Sequence, residues 1–147
     1  MKLPYMILFL LVLQGCGTVD KAVKEYYDVQ DEIRIGDTKE KVLSLLEPGQ
    51  EKLSARNKKP PTRYTKDGHV YDIYYARTGR IPDSETTDDE LTPHIFEDGI
   101  LIAIGWDYLG GPERTSAEVA RERAQIEKAR ASATKIEVKQ EVNQDSD

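Results

Sequence analysis

The sequence of 147 residues contains one cysteine, Cys16, and two histidines, His69 and His94. A single cysteine excludes an intramolecular disulfide, and so few Cys and His residues exclude a zinc site built from spaced Cys and His pairs. The Gly-x-Ser-x-Gly nucleophile motif does not occur in the sequence either. We therefore predict that the protein is not an enzyme and has no metal site.

Long apolar runs and an excess of basic charge are also lacking. The longest apolar run, Met6–Leu13, has eight residues. At 1.5 Å per residue a helix of that length reaches about 12 Å, well short of the roughly 30 Å hydrocarbon core of a bilayer. Acidic residues number 27 and basic residues 21. Because nucleic-acid binding needs a net basic face, we expect no nucleic-acid partner.

The apolar run has the surroundings of a secretory signal. Lys2 precedes the run, and the small residue Gly15 lies at its end, directly before Cys16. This order of charge, apolar run and small residue is typical of a signal peptide. We predict that residues 1–15 form this signal. The alternative is an ordinary signal peptide with an unrelated cysteine nearby.

Cys16 follows a stretch that resembles the lipobox of bacterial lipoproteins. The four residues are Leu13-Gln14-Gly15-Cys16, in which the glutamine is an unusual member. The resemblance implies that the chain is cut before Cys16 and that the thiol carries diacylglycerol, with a further acyl chain on the new amino terminus. More than one acyl chain is needed for stable anchoring, because each buried methylene contributes only about 0.8 kcal/mol. No other cofactor is expected.

The mature chain begins with a predicted tether, residues 16–18, followed by an amphipathic helix. Apolar residues recur at steps of three and four between Val19 and Ile33, with charged residues between them. Gly36 is expected to end this helix. A single apolar stripe on a helix must be covered by another element, so we expect the helix to pack on a sheet.

A second helix is predicted directly after the first. Asp37-Thr38-Lys39-Glu40 has the pattern of an N-terminal cap. The helix should direct Val42, Leu45 and Leu46 inward and end at Pro48-Gly49, because this dipeptide is typical of a helix end.

Alternating patterns predict three antiparallel strands, or four if Thr62–Lys66 forms an edge strand that turns at Asp67-Gly68. Asp98-Gly99 is a second hairpin turn. The three clear strands are His69–Thr78, Thr92–Glu97 and Ile100–Tyr108. The sequence therefore predicts an α+β fold: two N-terminal helices packed on one face of an antiparallel sheet, and an exposed C-terminal helix.

The strand patterns also predict which sheet face the helices cover. In the last strand the large apolar side chains alternate, and we expect this face to meet the helices. The residues are Ile100, Ile102, Ile104, Trp106 and Tyr108. Because two helices cover only one face, we expect Tyr74 and Val70 on an open, tyrosine-rich face, where Tyr74 is a candidate binding residue.

Two loops are strongly charged. The segment between Glu51 and Lys66 is basic, and we select Lys58, Lys59 and Arg63 as candidates for binding anionic headgroups or an acidic partner. A plain solubilising loop explains the same composition. Residues 79–91 are acidic, and we expect them to form an exposed loop rather than a calcium site, since no glycine occupies the sixth position of the run.

The last part of the chain differs in composition. The folded domain, residues 19–112, should end at Gly110-Gly111-Pro112. Residues 113–147 are rich in Ala, Glu, Lys and Arg and contain no wide apolar stripe. We predict a charged helix to about Ala133, then a disordered tail that contributes almost nothing to the core.

The stretch from Ile33 to Leu46 resembles the SmpA/OmlA (BamE-like) family of small outer-membrane lipoproteins. Six residues match that family's pattern, although Asp37 stands where the family usually has methionine. The matching residues are Ile33, Arg34, Ile35, Gly36, Thr38 and Val42. The hairpin Phe96–Leu101 is similar to the family's turn into its last strand. The resemblance covers roughly residues 19–108 and implies a non-catalytic adaptor on the periplasmic face of the outer membrane.

These observations predict a lipid-anchored adaptor that binds envelope or outer-membrane proteins. The alternative is a periplasmic inhibitor or ligand-binding module that uses the tyrosine-rich open sheet face. An enzyme is the third possibility: His94 and Asp72 can be drawn as part of a catalytic site, but the sequence supplies no nucleophile motif to complete it.

Overall fold

The structure, a computed structural model, describes the backbone of residues 15–144 and the side chains of residues 17–133. It confirms the predicted α+β arrangement of two N-terminal helices, an antiparallel sheet and a C-terminal helix. The helices are α1 (Gly15–Val29), α2 (Lys39–Gln50) and α3 (Ser116–Gln144). The strands are β1 (Thr62–Lys66), β2 (His69–Arg77), β3 (Leu91–Glu97) and β4 (Ile100–Ile104), in the order β1-β2-β3-β4. The optional edge strand is therefore present.

Helix α1 differs from its prediction at both ends. It already includes residues 16–18, which the sequence predicted as a tether, and it ends at Val29, followed by a short 3-10 turn. Residues 1–14 of the predicted signal and the side chain of Cys16 lie outside the part of the chain that the structure describes. Gly36 acts after the helix: its φ of +94° favours glycine, and its N–H donates to the carbonyl of Leu101 at 2.8 Å. The connection to α2 therefore pairs with the edge of β4.

Helix α2 begins as predicted but ends later. Thr38 is the N-cap, and its hydroxyl accepts a hydrogen bond from the backbone N–H of Lys41. The helix continues through Pro48 to Gln50, so the prediction that it ends at Pro48-Gly49 is wrong. Gln50 is buried, and its side-chain amide bonds to backbone groups of α1 and β2. These tertiary bonds hold the last turn in place beyond the proline.

One face of the sheet is covered by α1 and α2 through an apolar core. The buried residues of this core are Tyr26, Ile33, Val42, Leu46, Ala76, Phe96 and Leu101. Ile33 is 7% exposed, whereas its neighbour Ile35 is 61% exposed. We call this the helix-covered face.

The contribution of β4 to that core was predicted wrongly. Leu101 lies in the core, while Ile100 and Ile104 are each 41% exposed. The reason is a bulge: Ile95 pairs with Ala103 but Phe96 pairs with Leu101, so Ile102 is an extra residue. The strand also ends at Ile104, because Gly105 has a φ of +98° and a 3-10 turn, Trp106–Leu109, follows.

The opposite sheet face, here called the second face, is covered by aromatic pairs and loops. Tyr64 stacks on Tyr71 with ring centroids 5.0 Å apart, and Tyr75 stacks on Trp106 at 5.7 Å. Ile73 lies between these tyrosines on the same face and is buried.

Tyr74 and Val70 do not lie on the second face, so their predicted placement on an open face is wrong. Side chains alternate along a strand, and Tyr74 shares the side of the buried core residue Ala76. Tyr74 accordingly packs against the helix-covered core. Val70 comes four residues before Tyr74 on β2, so its side chain lies on the same side of the sheet, and it is half-buried.

The acidic loop was expected to be exposed, but part of it is buried. Glu90 is fully buried and pairs with Arg77, which is also buried. Glu90 accepts further hydrogen bonds from the backbone N–H groups of Ile81 and Thr87. A buried carboxylate needs such partners, and the loop folds around them.

The start of α3 also docks on the domain, contrary to the expectation that the tail adds nothing to the core. Val119 is 2% exposed, the backbone N–H of Arg114 donates to Asp88, and the hydroxyl of Ser116, the first residue of α3, donates to Asp89. Beyond Val119 the described side chains of α3 are exposed, with Ile126 53% exposed. The helix runs to Gln144, past the predicted end near Ala133, in keeping with the high helix propensity of its Ala, Glu, Lys and Gln residues.

Candidate functional site

A cleft of about 550 Å³ lies beside β2, between the end of α2 and the chain that leads from α2 to β1. Three of the four predicted binding residues line it: Tyr74, Lys58 and Lys59. Arg63 does not. The cleft thus combines the predicted tyrosine with two of the predicted cations, although Tyr74 comes from the helix-covered face rather than from an open one.

Tyr74 forms one wall of the cleft. Burial raises the pKa of its hydroxyl to about 12, and the nearby carboxylate of Glu47 acts in the same direction. The hydroxyl therefore stays protonated at any physiological pH. Since a neutral phenol both donates and accepts hydrogen bonds, Tyr74 offers an amphipathic surface rather than a charge.

The two lysines are engaged within the protein. The ammonium of Lys58 donates to the carbonyl of Glu51 at 2.8 Å. The ammonium of Lys59 lies 2.8 Å from a carboxylate oxygen of Asp88 and 4.9 Å from the ring centroids of both Tyr75 and Trp106. The positive charge of Lys59 is therefore balanced by the carboxylate and by the faces of the two aromatic rings. The lysines therefore hold the wall of the cleft in place, and their binding of anionic headgroups or an acidic partner stays a prediction.

Arg63 lies elsewhere, on β1, and is likewise engaged. Its guanidinium makes two hydrogen bonds to Asp72, at 2.7 and 2.9 Å, and Lys39 lies 3.0 Å from the same carboxylate. Hydrogen bonding from Arg63, together with Lys39, lowers the pKa of Asp72 to about 2. This cluster ties the exposed edge strand β1 to the start of α2.

Gln50 and Leu53 complete the cleft, and the sequence analysis singled out neither. The Gln50 amide donates to the carbonyls of Ala22 and Arg77 and accepts from the N–H of Arg77 at 2.7 Å. Leu53 is buried and belongs to a small apolar cluster with α1. A glutamine at the end of a predicted helix carries no signal of such contacts, because its partners are 27 and 28 residues away.

His94 and Asp72 do not form the fragment of a catalytic site. Asp72 is bonded to Arg63 and Lys39, as described above, whereas Nδ1 of His94 lies 3.2 Å from the carbonyl of Thr92. His94 is fully buried, and this burial lowers its pKa to about 4. The imidazole is therefore neutral and enclosed at pH 7.

One group of side chains in the described part of the chain has the composition of a metal site. His69, Glu97 and Asp98 meet where the two hairpin turns lie side by side, with their ligand atoms within 4.8 Å of one another. The group is largely exposed, and Nδ1 of His69 bonds to Asp98 at 2.6 Å. This hydrogen bond raises the pKa of His69, and the three side chains contact one another.

Comparison of the chain with family models, with curated proteins and with solved structures finds no match. The resemblance of the stretch from Ile33 to Leu46 to a lipoprotein family therefore stays a prediction from the sequence. Within residues 15–144, no helix is both long and apolar enough to cross a bilayer.

Proposed function

We propose that this protein is a lipid-anchored lipoprotein of the bacterial outer membrane that faces the periplasm and binds protein partners in envelope assembly or maintenance. One observation carries the proposal: the apolar run Met6–Leu13 ends at a small residue followed at once by the only cysteine, Cys16. This is the arrangement of a lipoprotein signal. Gly17, rather than aspartate, follows the cysteine, which by lipoprotein sorting rules favours delivery to the outer membrane.

The adaptor role is supported by the resemblance between Ile33 and Leu46 and by the chemistry of the site. In this structure that stretch contains the connection between α1 and α2 and the first part of α2, and it bonds to β4 through Gly36. The cleft beside β2 is lined by tyrosine, leucine and proline side chains, a glutamine amide and several charged side chains. Such a surface suits the binding of a polypeptide, since apolar side chains and a few polar groups together recognise peptides.

The anchor is tested by replacing the thiol. Cys16→Ala should abolish incorporation of a radiolabelled or clickable fatty acid and leave the chain unprocessed, whereas Thr18→Ala, two residues on, should be labelled like the wild type. Mass spectrometry of the wild-type protein should show an N-terminal cysteine with diacylglycerol and an acyl chain. An unmodified mature N-terminus would refute the anchor, and recovery only with the inner membrane in a sucrose gradient would refute the outer-membrane location.

The partner is tested by purifying the tagged protein from detergent-solubilised envelopes. Enrichment of outer-membrane proteins, lost when the anchor is removed by Cys16→Ala, supports the adaptor.

The second candidate function is a periplasmic inhibitor or ligand-binding module. It is favoured by the size of the cleft, about 550 Å³, which suits a small molecule. Co-purification of a soluble periplasmic enzyme or of a small molecule, retained by Cys16→Ala, would support that candidate.

A further inference from the structure

The cleft contains a stretch of sheet edge that no strand within residues 15–144 covers. Strand β1 pairs with β2 only as far as Thr62 opposite Ile73, so Tyr74–Arg77 of β2 extends beyond it. Pro60 and Pro61 precede β1, and both line the cleft. Because proline has no N–H, these residues cannot extend the ladder with a pair of hydrogen bonds. The edge of β2 is therefore open to the cleft from the end of β1 onward.

The direction of the backbone groups along this edge follows from Arg77. Its N–H donates to Oε1 of Gln50 at 2.7 Å, and its carbonyl accepts from Nε2 of the same amide at 3.3 Å. Both polar groups of Arg77 thus point away from β3 and toward the cleft. In an antiparallel strand the direction repeats every two residues. The N–H and carbonyl of Tyr75 therefore point to the same side.

The residue opposite Tyr75 on β3 independently supports this direction of the Tyr75 backbone groups. Tyr75 lies opposite Pro93 of β3, a residue with no N–H to donate. The carbonyl of Pro93 accepts from Gly105, on the side of β4. Pro93 is therefore at a non-hydrogen-bonded position relative to β2, and the backbone groups of Tyr75 must face the cleft.

Across residues 15–144, neither of these two backbone groups of Tyr75 has a recorded hydrogen-bond partner on the cleft side. Tyr75 is half-buried, and the next backbone pair along the edge, at Arg77, is already bonded by an amide. Peptide groups at a partly enclosed edge are stabilised by a partner with one donor and one acceptor in the same spacing. A single residue of an extended chain has that arrangement, because its own N–H and C=O point to the same side of the strand.

We propose that the cleft binds an extended peptide segment of a partner protein, which adds to β2 as a short strand and pairs with the backbone of Tyr75. This proposal rests on the proposed adaptor function and names its binding site. From Ile73 to Arg77 the edge spans four residue steps, about 13 Å, which accommodates roughly three residues between β1 and the Gln50 amide. Binding of this kind draws affinity from main-chain hydrogen bonds and specificity from alternate side-chain pockets.

The walls of the cleft define the side chains that such a peptide should carry. Leu53, Tyr74 and Pro61 supply apolar surface. Glu47 and Glu51 line the same cleft and are exposed. Of the cations in its lining, Lys59 is paired with Asp88 and Arg77 with Glu90, which leaves the two carboxylates against the single positive charge of Lys58. We therefore expect apolar peptides with a basic residue to be preferred over acidic ones.

The test uses the predicted mature chain, residues 16–147 with Cys16→Ala, expressed without the predicted signal so that it stays in the cytoplasm and needs no lipid or sorting step. A phage library of random peptides of about seven residues is the probe, since that length exceeds the open edge. Selected peptides are then synthesised and titrated into the isotope-labelled protein, with the amide resonances of Tyr75 and Arg77 as reporters. Hydrogen exchange of the Tyr75 amide should be fast in the free protein and slow by about tenfold or more at saturation.

Two variants separate the cleft from the rest of the surface. Ala55 lines the cleft and is exposed, so Ala55→Trp should fill it and weaken peptide binding by about tenfold or more. Lys52 is exposed on the same connection but does not line the cleft, so Lys52→Trp should leave the affinity within about twofold. Circular dichroism of both variants shows whether the fold is kept.

The proposal is overturned if no peptide is enriched, if selected peptides leave the Tyr75 amide unchanged, or if that amide is already protected in the free protein. It is also overturned if Ala55→Trp binds as well as Lys52→Trp. Because the assay needs neither membrane nor partner, its failure leaves the anchor and envelope tests untouched. Conversely, if the cleft binds a peptide but the wild-type protein carries no lipid on Cys16, the proposed anchor is refuted and the peptide-binding cleft stands.

Discussion

The two faces of the sheet are stabilised by different kinds of contact. On the helix-covered face, α1 and α2 bury Tyr26, Val42 and Leu46 against apolar side chains of the strands. On the second face, Arg77 and Glu90 form a buried ion pair, and Tyr75 stacks on Trp106. The first kind of contact depends on apolar area, whereas the second depends on polar groups finding particular partners.

This difference decides how each face responds to substitution. Loss of apolar area from the helix-covered face should cost stability in proportion to the cavity that is left. Loss of one polar partner from the second face should leave the other partner buried without compensation, which costs more than the pair itself contributes. Four substitutions, taken from the largest expected effect to the smallest, test the comparison.

The largest effect is expected at Glu90. Glu90→Gln removes the charge that compensates Arg77, and both side chains are almost fully buried. We expect a loss of about 3–5 kcal/mol in the free energy of unfolding, because an unpaired guanidinium is then enclosed. Urea unfolding followed by circular dichroism measures this loss.

A matched control lies in the same loop. Glu85 pairs with Arg114 and Arg123 but is partly exposed, so Glu85→Gln should cost no more than about 1 kcal/mol. In the double variant Arg77→Met with Glu90→Met, much of the loss should be recovered, since no charge stays buried. Equal stability of Glu90→Gln and wild type would show that the second face does not depend on this ion pair.

The helix-covered face is tested at Leu46, which is 2% exposed. Leu46→Ala should lower the free energy of unfolding by about 2–5 kcal/mol, because the side chain is replaced by a cavity. Leu43 lies on the same helix but is only partly buried, so Leu43→Ala should cost clearly less. A melting temperature unchanged by Leu46→Ala would show that Leu46 does not contribute to the core.

The helix-covered face also encloses the imidazole of His94, and the protein should therefore lose stability in mild acid. Its folded pKa of about 4 is below the unfolded value of 6.5, so the unfolded chain binds more protons as the pH falls between these values. The protein should lose about 2 kcal/mol between pH 7 and pH 5 from this group. His94→Leu should remove that part of the pH dependence.

His69 is the control for the pH experiment. Its pKa is raised by Asp98, so its protonation favours the folded state and its contribution has the opposite sign. His69→Gln should therefore not reduce the loss in acid. Asp72, with a pKa of about 2, affects stability only below roughly pH 4, outside the window. Identical unfolding curves for wild type at pH 7 and pH 5 would contradict the buried, neutral state of His94.

The smallest effects are expected in α3, where the docked part of the helix can be compared with its free part. Val119→Ala should cost about 1–3 kcal/mol, because Val119 is 2% exposed. Ile126→Ala should stay within about 0.5 kcal/mol, since Ile126 is 53% exposed. Unfolding in urea measures both. If the two substitutions cost the same, the start of α3 is not docked.

The elements that the sequence predicted well are those with short-range signals. The Thr38 cap, the turns Asp67-Gly68 and Asp98-Gly99, and the edge strand β1 are all present. Each of these depends on residues within a few positions of one another, so the pattern is visible in the sequence.

The errors concern elements whose ends depend on distant partners. Helix α2 passes Pro48 because Gln50 bonds to β2, and β4 turns Leu101 inward because of the bulge at Ile102. The candidate site shows the same limit. Tyr74, Lys58 and Lys59 were selected by residue type, but their meeting in one cleft, and the internal bonds of both lysines, required the folded chain.

The sequence alone therefore determined the α+β class, the order of the elements and the candidate anchor at Cys16, since these follow from periodicity, turn residues and the short apolar run. Tertiary structure decided the burial of Glu90 with Arg77, the docking of Val119 and the open edge at Tyr75. The physical reason is that the stability of a buried polar group depends on the partner it meets, and that partner is brought by a distant segment of the chain.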